Sequence, residues 1–300
     1  MNSRAIPFRL LVPLVLAVLS SCSPPAQEDS DERPLIVVSM PVAAHLVEPL
    51  AGMDADVRVL LPDGASPHGF EPRPSDAILL ARARIRIALH PDIDGWFERM
   101  TADPVRFVFQ DQQDGEITRD ASGHSPTGHA HDHSEDAHVW MDPVHFAEGI
   151  PVVAADLCGL FPDDCDGIRY RADSLTVVWK ELDRWARTLF GEQTDRPPVV
   201  LALPFLIPLL DRYDVPYLGP LQSVPGQMHA PSTLDAVANK AATSAAVGLL
   251  TQTILNDSGL KQFAMDNGLT VTPVEPVGSG HAHYDAYIRD LISRVHAARQ

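Results

Sequence analysis

The chain has 300 residues, 45% of them apolar and 21% charged, which excludes disorder throughout and supplies apolar mass for one large core or two modest ones. Its 40 acidic side chains outnumber 23 basic ones, giving a formal charge of -17, and this argues against nucleic acid as a partner.

Residues 1–21 read as an export signal. Arg4 and Arg9 precede an apolar run from Leu10 to Leu19, too short to span a bilayer, and the small residues Ser20 and Ser21 follow. The tail Leu19-Ser20-Ser21-Cys22 resembles a bacterial lipobox, in which Cys22 would become the lipidated first residue; the alternative is an ordinary secretory signal cut near Ser21. Removing residues 1–21 takes two arginines and no acids, so the remainder carries a formal charge of -19. Residues 22–34 are polar and Pro-rich and read as a flexible tether.

From Leu35 short apolar runs alternate with helical patterns. Strands are expected at 35–40, 57–62, 84–89 and 105–109, with a helix carrying His45, Leu46 and Leu50, one from Pro74, and a helical piece at Trp96–Met100. Residues 110–136 then turn to Gly, Asp, His, Ser and Thr and form a long loop, the His-rich segment 111–137 within this first α/β unit. A helix from Pro143 to about Leu160 and a second from about Asp166 to Phe190 follow, the latter roughly 37 Å long with Leu175, Val178, Leu182, Trp185 and Leu189 on one stripe. Between them Cys158 and Cys165 close a small loop, and in an oxidising compartment this favours a local disulfide over free thiols or a metal pair. The alternation restarts with strands at 198–203, 246–252 and 269–277 and ends in a helix from about Tyr284 to Ala298, a second α/β unit. The divisions are thus 35–160, 161–192 for the long helix, and 193–300.

The chemistry-bearing residues begin in the histidine tract, GHSPTGHAHDHSEDAH from Gly123 to His138. Imidazole is the commonest protein ligand for zinc, copper and nickel. His124, His129, His131 and His133 sit on the flexible loop, interleaved with Asp132, Glu135 and Asp136, and suit weak, exchangeable zinc capture. His138 differs, because Val139-Trp140-Met141-Asp142-Pro143 follows it and Asp-Pro marks a helix start. Upstream, three prolines in Pro67–Pro74 stiffen the loop around His68, and Ser75 is positioned to cap the next helix.

PHGFEPRPSD, ALHPDIDGWFERM, the His-rich loop and HVWMDP together resemble the zinc and manganese solute-binding proteins of bacterial ABC importers, over the whole chain from Leu35 onward. The resemblance implies an α/β fold of two similar lobes, each a mostly parallel sheet flanked by helices, joined by one long rigid helix, with a metal in the cleft between them. It implies His68 and His138 as ligands and Glu275 as the carboxylate ligand. The third histidine position falls at or next to Leu203, which cannot coordinate zinc. His281 or His283, His229, or water are the ways to complete the set. His45, His90, His145 and His296 read as locally satisfied histidines and Trp140 as core.

The resulting expectation is an exported, membrane-tethered monomer, facing the periplasm or cell surface. It would capture Zn2+, with Mn2+ the poorer match to imidazole donors, and deliver it to an ABC permease in the inner membrane. One alternative is an accessory zinc-buffering or adhesin-like lipoprotein with a degenerate cleft. Another is a zinc-dependent hydrolase, against which stands the lack of an HExxH pair or an obvious general base.

Overall fold

Strands buried along nearly their whole length need helices on both faces, and three such runs sit inside two parallel sheets. A computed structural model describes residues 33–109, 137–191, 196–252 and 257–300. The expected leader, the tether with Cys22, and His124, His129, His131 and His133 lie outside the described residues.

The first sheet has the order β2-β1-β3-β4, from β1 (Leu35–Val38), β2 (Asp56–Val59), β3 (Ile85–Ala88) and β4 (Arg106–Phe107). Its connections are α1 (Pro41–Ala51), α2 (Pro74–Arg82) and the short α3 (Pro91–Asp94). Then come α4 (Pro143–Phe146), α5 (Gly149–Leu160) and the 27-residue α6 (Cys165–Gly191), about 40 Å long at 1.5 Å per residue. The second sheet has the order β10-β9-β5-β6, from β5 (Val199–Leu201), β6 (Tyr217–Leu218), β9 (Gly248–Gln252) and β10 (Thr270–Val274). Around it lie α7 (Ile207–Arg212), α8 (Pro231–Thr243), α9 (Ser258–Asp266) and α10 (Tyr284–Ala297), with the antiparallel hairpin β7 (Gln222–Val224) and β8 (Gln227–Met228) beside them.

One large core draws residues from both sheets and from α1, α5, α6 and α10, while a smaller cluster around Val200, Ala202 and Leu249 lies under α8 and α9. Cys158 and Cys165 are joined as a disulfide at the start of α6. Among the described residues no helix is long and apolar enough to cross a membrane.

Four local expectations are corrected. The helix expected from Pro143 to Leu160 is broken between Phe146 and Gly149, where the chain passes so close to the first sheet that a Cβ on Gly149 would meet Val108 at 2.7 Å. The buried stripe of α6 runs through Ile168, Trp179, Leu182, Ala186 and Phe190, leaving Val178 exposed. Trp179 wins that position because its ring stacks on Phe146 at 5.2 Å and meets Tyr284 at 4.6 Å. The start of α2 is fixed by Asp76, not Ser75: its carboxylate accepts the Arg73 backbone N–H at 2.7 Å. At Trp96–Met100 only a single 3-10 turn, Glu98–Met100, forms.

Candidate metal centre

His68 sits in a 3-10 turn, Pro67–Gly69, whose prolines fix the approach of the backbone. The loop rests on the first half through Phe70, which meets Trp96 edge-on at 4.6 Å. Trp96 in turn follows a segment pinned by buried Asp94, whose carboxylate accepts from the Leu89 and His90 backbone N–H groups and from Ser39. The ALHPDIDGW stretch is therefore the buttress of the His68 loop.

His138 lies 70 residues later at the head of a 3-10 turn, Val139–Met141, and is buried. Asp142 stops that turn and starts α4, accepting from the Val144 and His145 backbone N–H groups, while its second oxygen pairs with Arg212 of α7. Trp140 donates its indole N–H to the Pro276 carbonyl at 2.8 Å, and the Trp140 carbonyl accepts from the Tyr284 hydroxyl at 2.7 Å. Trp140 is core, and it also fastens the histidine to the C-terminal half.

These supports bring His68 Nε2 and His138 Nε2 to 3.3 Å. Two nitrogens at zinc-ligand distance, about 2.0–2.1 Å, and at the tetrahedral angle stand roughly 3.3–3.4 Å apart. Burial, with His68 beside it, pushes the His138 pKa down to about 3, and displaced hydration lowers that of His68; both shifts favour the neutral, ligating form.

The C-terminal half contributes less to this pair. Leu203, buried, begins a turn over Pro204–Leu206 that sets the Phe205 ring 6.4 Å from that of His138. Glu275 follows β10; one oxygen accepts from the Val277 N–H at 3.0 Å, and Oε1 is buried with no hydrogen-bond partner among the described residues. Burial, with Asp63 nearby, raises its pKa to about 7. His281 is held in place locally, Nδ1 3.1 Å from the Ser279 carbonyl and Nε2 3.6 Å from Asp290. His283 is exposed at the start of α10, and His229 is half-exposed beside the β7–β8 hairpin, its backbone N–H bonded to Leu221. Among the described residues no three His, Cys, Asp or Glu side chains gather as a metal group, so the structure unites His68 and His138 and leaves the other candidates apart. His45, expected to be satisfied locally, donates from Nε2 to the His281 carbonyl at 2.9 Å, but Nδ1 is buried unpaired, as is Nδ1 of His296. His90 Nδ1 accepts the Asp92 N–H at 3.2 Å, and His145 stands 3.8 Å from Glu148.

Residues 36–298 match the family model ZnuA, described as zinc-uptake complex component A, periplasmic. The chain belongs to this family. Among ZnuA-family relatives, the manganese-binding lipoprotein MntA of Halalkalibacterium halodurans is 23% identical over 181 residues, 59% of this chain and 57% of that protein. The high-affinity zinc uptake system protein ZnuA of Paracoccus denitrificans is 31% identical over 86 residues, 29% of this chain and 26% of that protein. The match thus spans little more than half of MntA and about a quarter of the Paracoccus protein. A crystal structure of ZnuA superposes with TM-score 0.74 at 18% identity, covering 90% of this chain and 100% of that one. The periplasmic zinc-binding protein TroA from Treponema pallidum gives 0.74 at 17% identity, over 89% and 99%. The family's two-lobe α/β fold with a long connecting helix is therefore this chain's fold.

Proposed function

We propose that the chain is the extracytoplasmic component of a metal ABC importer, taking up Zn2+ between its two halves and handing it to a permease in the inner membrane. The observation that carries this reading is the 3.3 Å spacing of the two imidazole Nε2 atoms, which suits one shared tetrahedral ion. Lobes at 35–160 and 193–300 flank the ion, with 161–192 as the link, and Glu275 closes on it from the second lobe. Residues 1–21 direct export, lipidated Cys22 holds a monomer to the membrane, and His124, His129, His131 and His133 supply zinc to the fixed site. The function is binding and delivery without turnover; chelator-sensitive hydrolysis of an ester or peptide would contradict it.

The test is calorimetric Zn2+ titration of the soluble chain, with and without residues 111–135. One tight site is expected to survive loop deletion, and His68→Ala is expected to weaken it by more than roughly tenfold while leaving weak loop sites intact. Loss of all tight binding on loop deletion would sink the cleft assignment. It would favour the second reading, a buffering or adhesin-like lipoprotein, to which buried Leu203, unable to ligate, lends support.

A further inference from the structure

Two imidazoles and one carboxylate leave a tetrahedral zinc ion one donor short. In an open parallel sheet, ligands are bound outside the C-terminal ends of the strands where the strand order reverses. In the second sheet β5 connects through α7 to β6 on one side, and β9 connects through α9 to β10 on the other, so the reversal falls between β5 and β9.

The residues at that point follow from register. Leu201 pairs with Leu250, and the backbone of Leu203 is still extended, so Leu203 and Gln252 stand level at the C-terminal ends of neighbouring strands. Gln252 also pairs with Val274, immediately before Glu275. In-register residues of parallel strands share a face. Leu201, Leu203, Leu250 and Val274 all enter the large core shared with the first half, whereas Val200, Ala202 and Leu249 enter the cluster under α8 and α9. Gln252 thus lies on the face of Leu203, the residue that leads into the Phe205 turn beside His138. Thr251, also buried with an unpaired oxygen, lies on the opposite face and is set aside.

Gln252 is 5% exposed, and its amide oxygen has no hydrogen-bond partner among the described residues. A buried acceptor left unpaired is uncommon and asks for a reason. We infer that the Gln252 side-chain oxygen is a zinc donor, filling the position that Leu203 leaves without one and completing a set of His68, His138, Glu275 and Gln252. This rests on the proposed cleft site and specifies its fourth ligand. An N2O2 set is harder than an imidazole-rich one, so it narrows the preference for zinc over manganese.

The experiment uses the full soluble chain stripped of metal, with Zn2+ measured by chelator competition and Co2+ as a spectroscopic probe. Gln252→Leu is expected to weaken Zn2+ by at least about tenfold and to change the Co2+ visible band, while Gln252→Glu retains both tight binding and a tetrahedral spectrum. Metal-free Gln252→Leu is expected to melt no lower than wild type, since it removes an unpaired buried acceptor. Unchanged Zn2+ affinity and Co2+ spectrum in Gln252→Leu overturn the inference, as does a lowered metal-free melting point with an unaltered spectrum. His68→Ala separates the two levels: if it leaves binding intact, the cleft reading itself fails, and if it abolishes binding while Gln252→Leu does not, only the glutamine assignment fails.

Discussion

The family resemblance puts Leu203 at a third histidine position, and the turn it begins sets the Phe205 ring 6.4 Å from that of His138. Leu203→His is expected to tighten Zn2+ by an order of magnitude or more and to raise selectivity over Mn2+, as competition titrations would show. Glu275 has an acid-base signature of its own. Its folded pKa, about 7, exceeds the ordinary 4.5, so between these pH values the folded state holds a proton that the unfolded chain has lost. The contribution is complete below about pH 4.5 and lost as pH rises through about 7. Glu275→Gln is therefore expected to gain stability relative to wild type above pH 7 in the metal-free state, by about 1–2 kcal/mol after solvent screening, with no gain at pH 4.5. His138 acts oppositely: its pKa falls from 6.5 to about 3, so stability is lost as pH drops through that window. Urea titrations of metal-free protein at pH 4.5, 6 and 8 separate the two groups. That His68 and His138, which stand 3.3 Å apart, are special is legible in the sequence because each sits beside residues with strong local geometry, Pro67 and Asp142-Pro143. The role inferred for Gln252 has no such sequence signal, because a glutamine at a strand end carries no pattern; only register and the unpaired oxygen point to it.

Among elements, the alternation of apolar runs with helical periods located the parallel strands and major helices within a few residues. The β7–β8 hairpin carries no sequence signal, because its strands are two or three residues long and show no period. The phase of α6 is not legible for a physical reason: Trp185 is only partly buried, lying beneath the Arg289 guanidinium at 4.6 Å, so it is no guide to the buried face. Gly278 is a position where sequence and packing meet. It has φ +82°, and a Cβ there would stand 2.9 Å from His45 Cε1. Gly278→Ala is expected to cost about 1–3 kcal/mol in urea unfolding, since it combines left-handed strain with a buried clash. The Cys158–Cys165 disulfide closes a short loop with a separation of 7, so its removal by Cys158→Ser with Cys165→Ser is expected to cost about 2.5 kcal/mol or less, with zinc affinity unchanged.

The whole molecule repeats one plan. Numbered within each half, both sheets have the strand order 2-1-3-4, although the sequence shows no internal repeat. Topology persists where side chains have diverged, because an inner strand needs only to be apolar on both faces. In both sheets the strand order reverses between the first and third strands, but His68 and His138 both come from loops after β2 and β4 of the first sheet, so the histidine pair is built by one half, an unequal division.

The two fastenings of Trp140 give that inequality a mechanical meaning. His138 belongs to the first half by sequence, but two residues later the chain is clamped to Pro276 and Tyr284, whereas the His68 loop leans on Trp96. The nitrogens that would share the ion thus answer to different anchors, and on the proposed function the gap between them would work as a caliper on how the halves stand. On the proposed function, unloading is an opening of that caliper. Loosening one jaw by Trp140→Phe, which deletes the bond to Pro276, is expected to speed zinc dissociation in stopped-flow chelator capture more than it slows association.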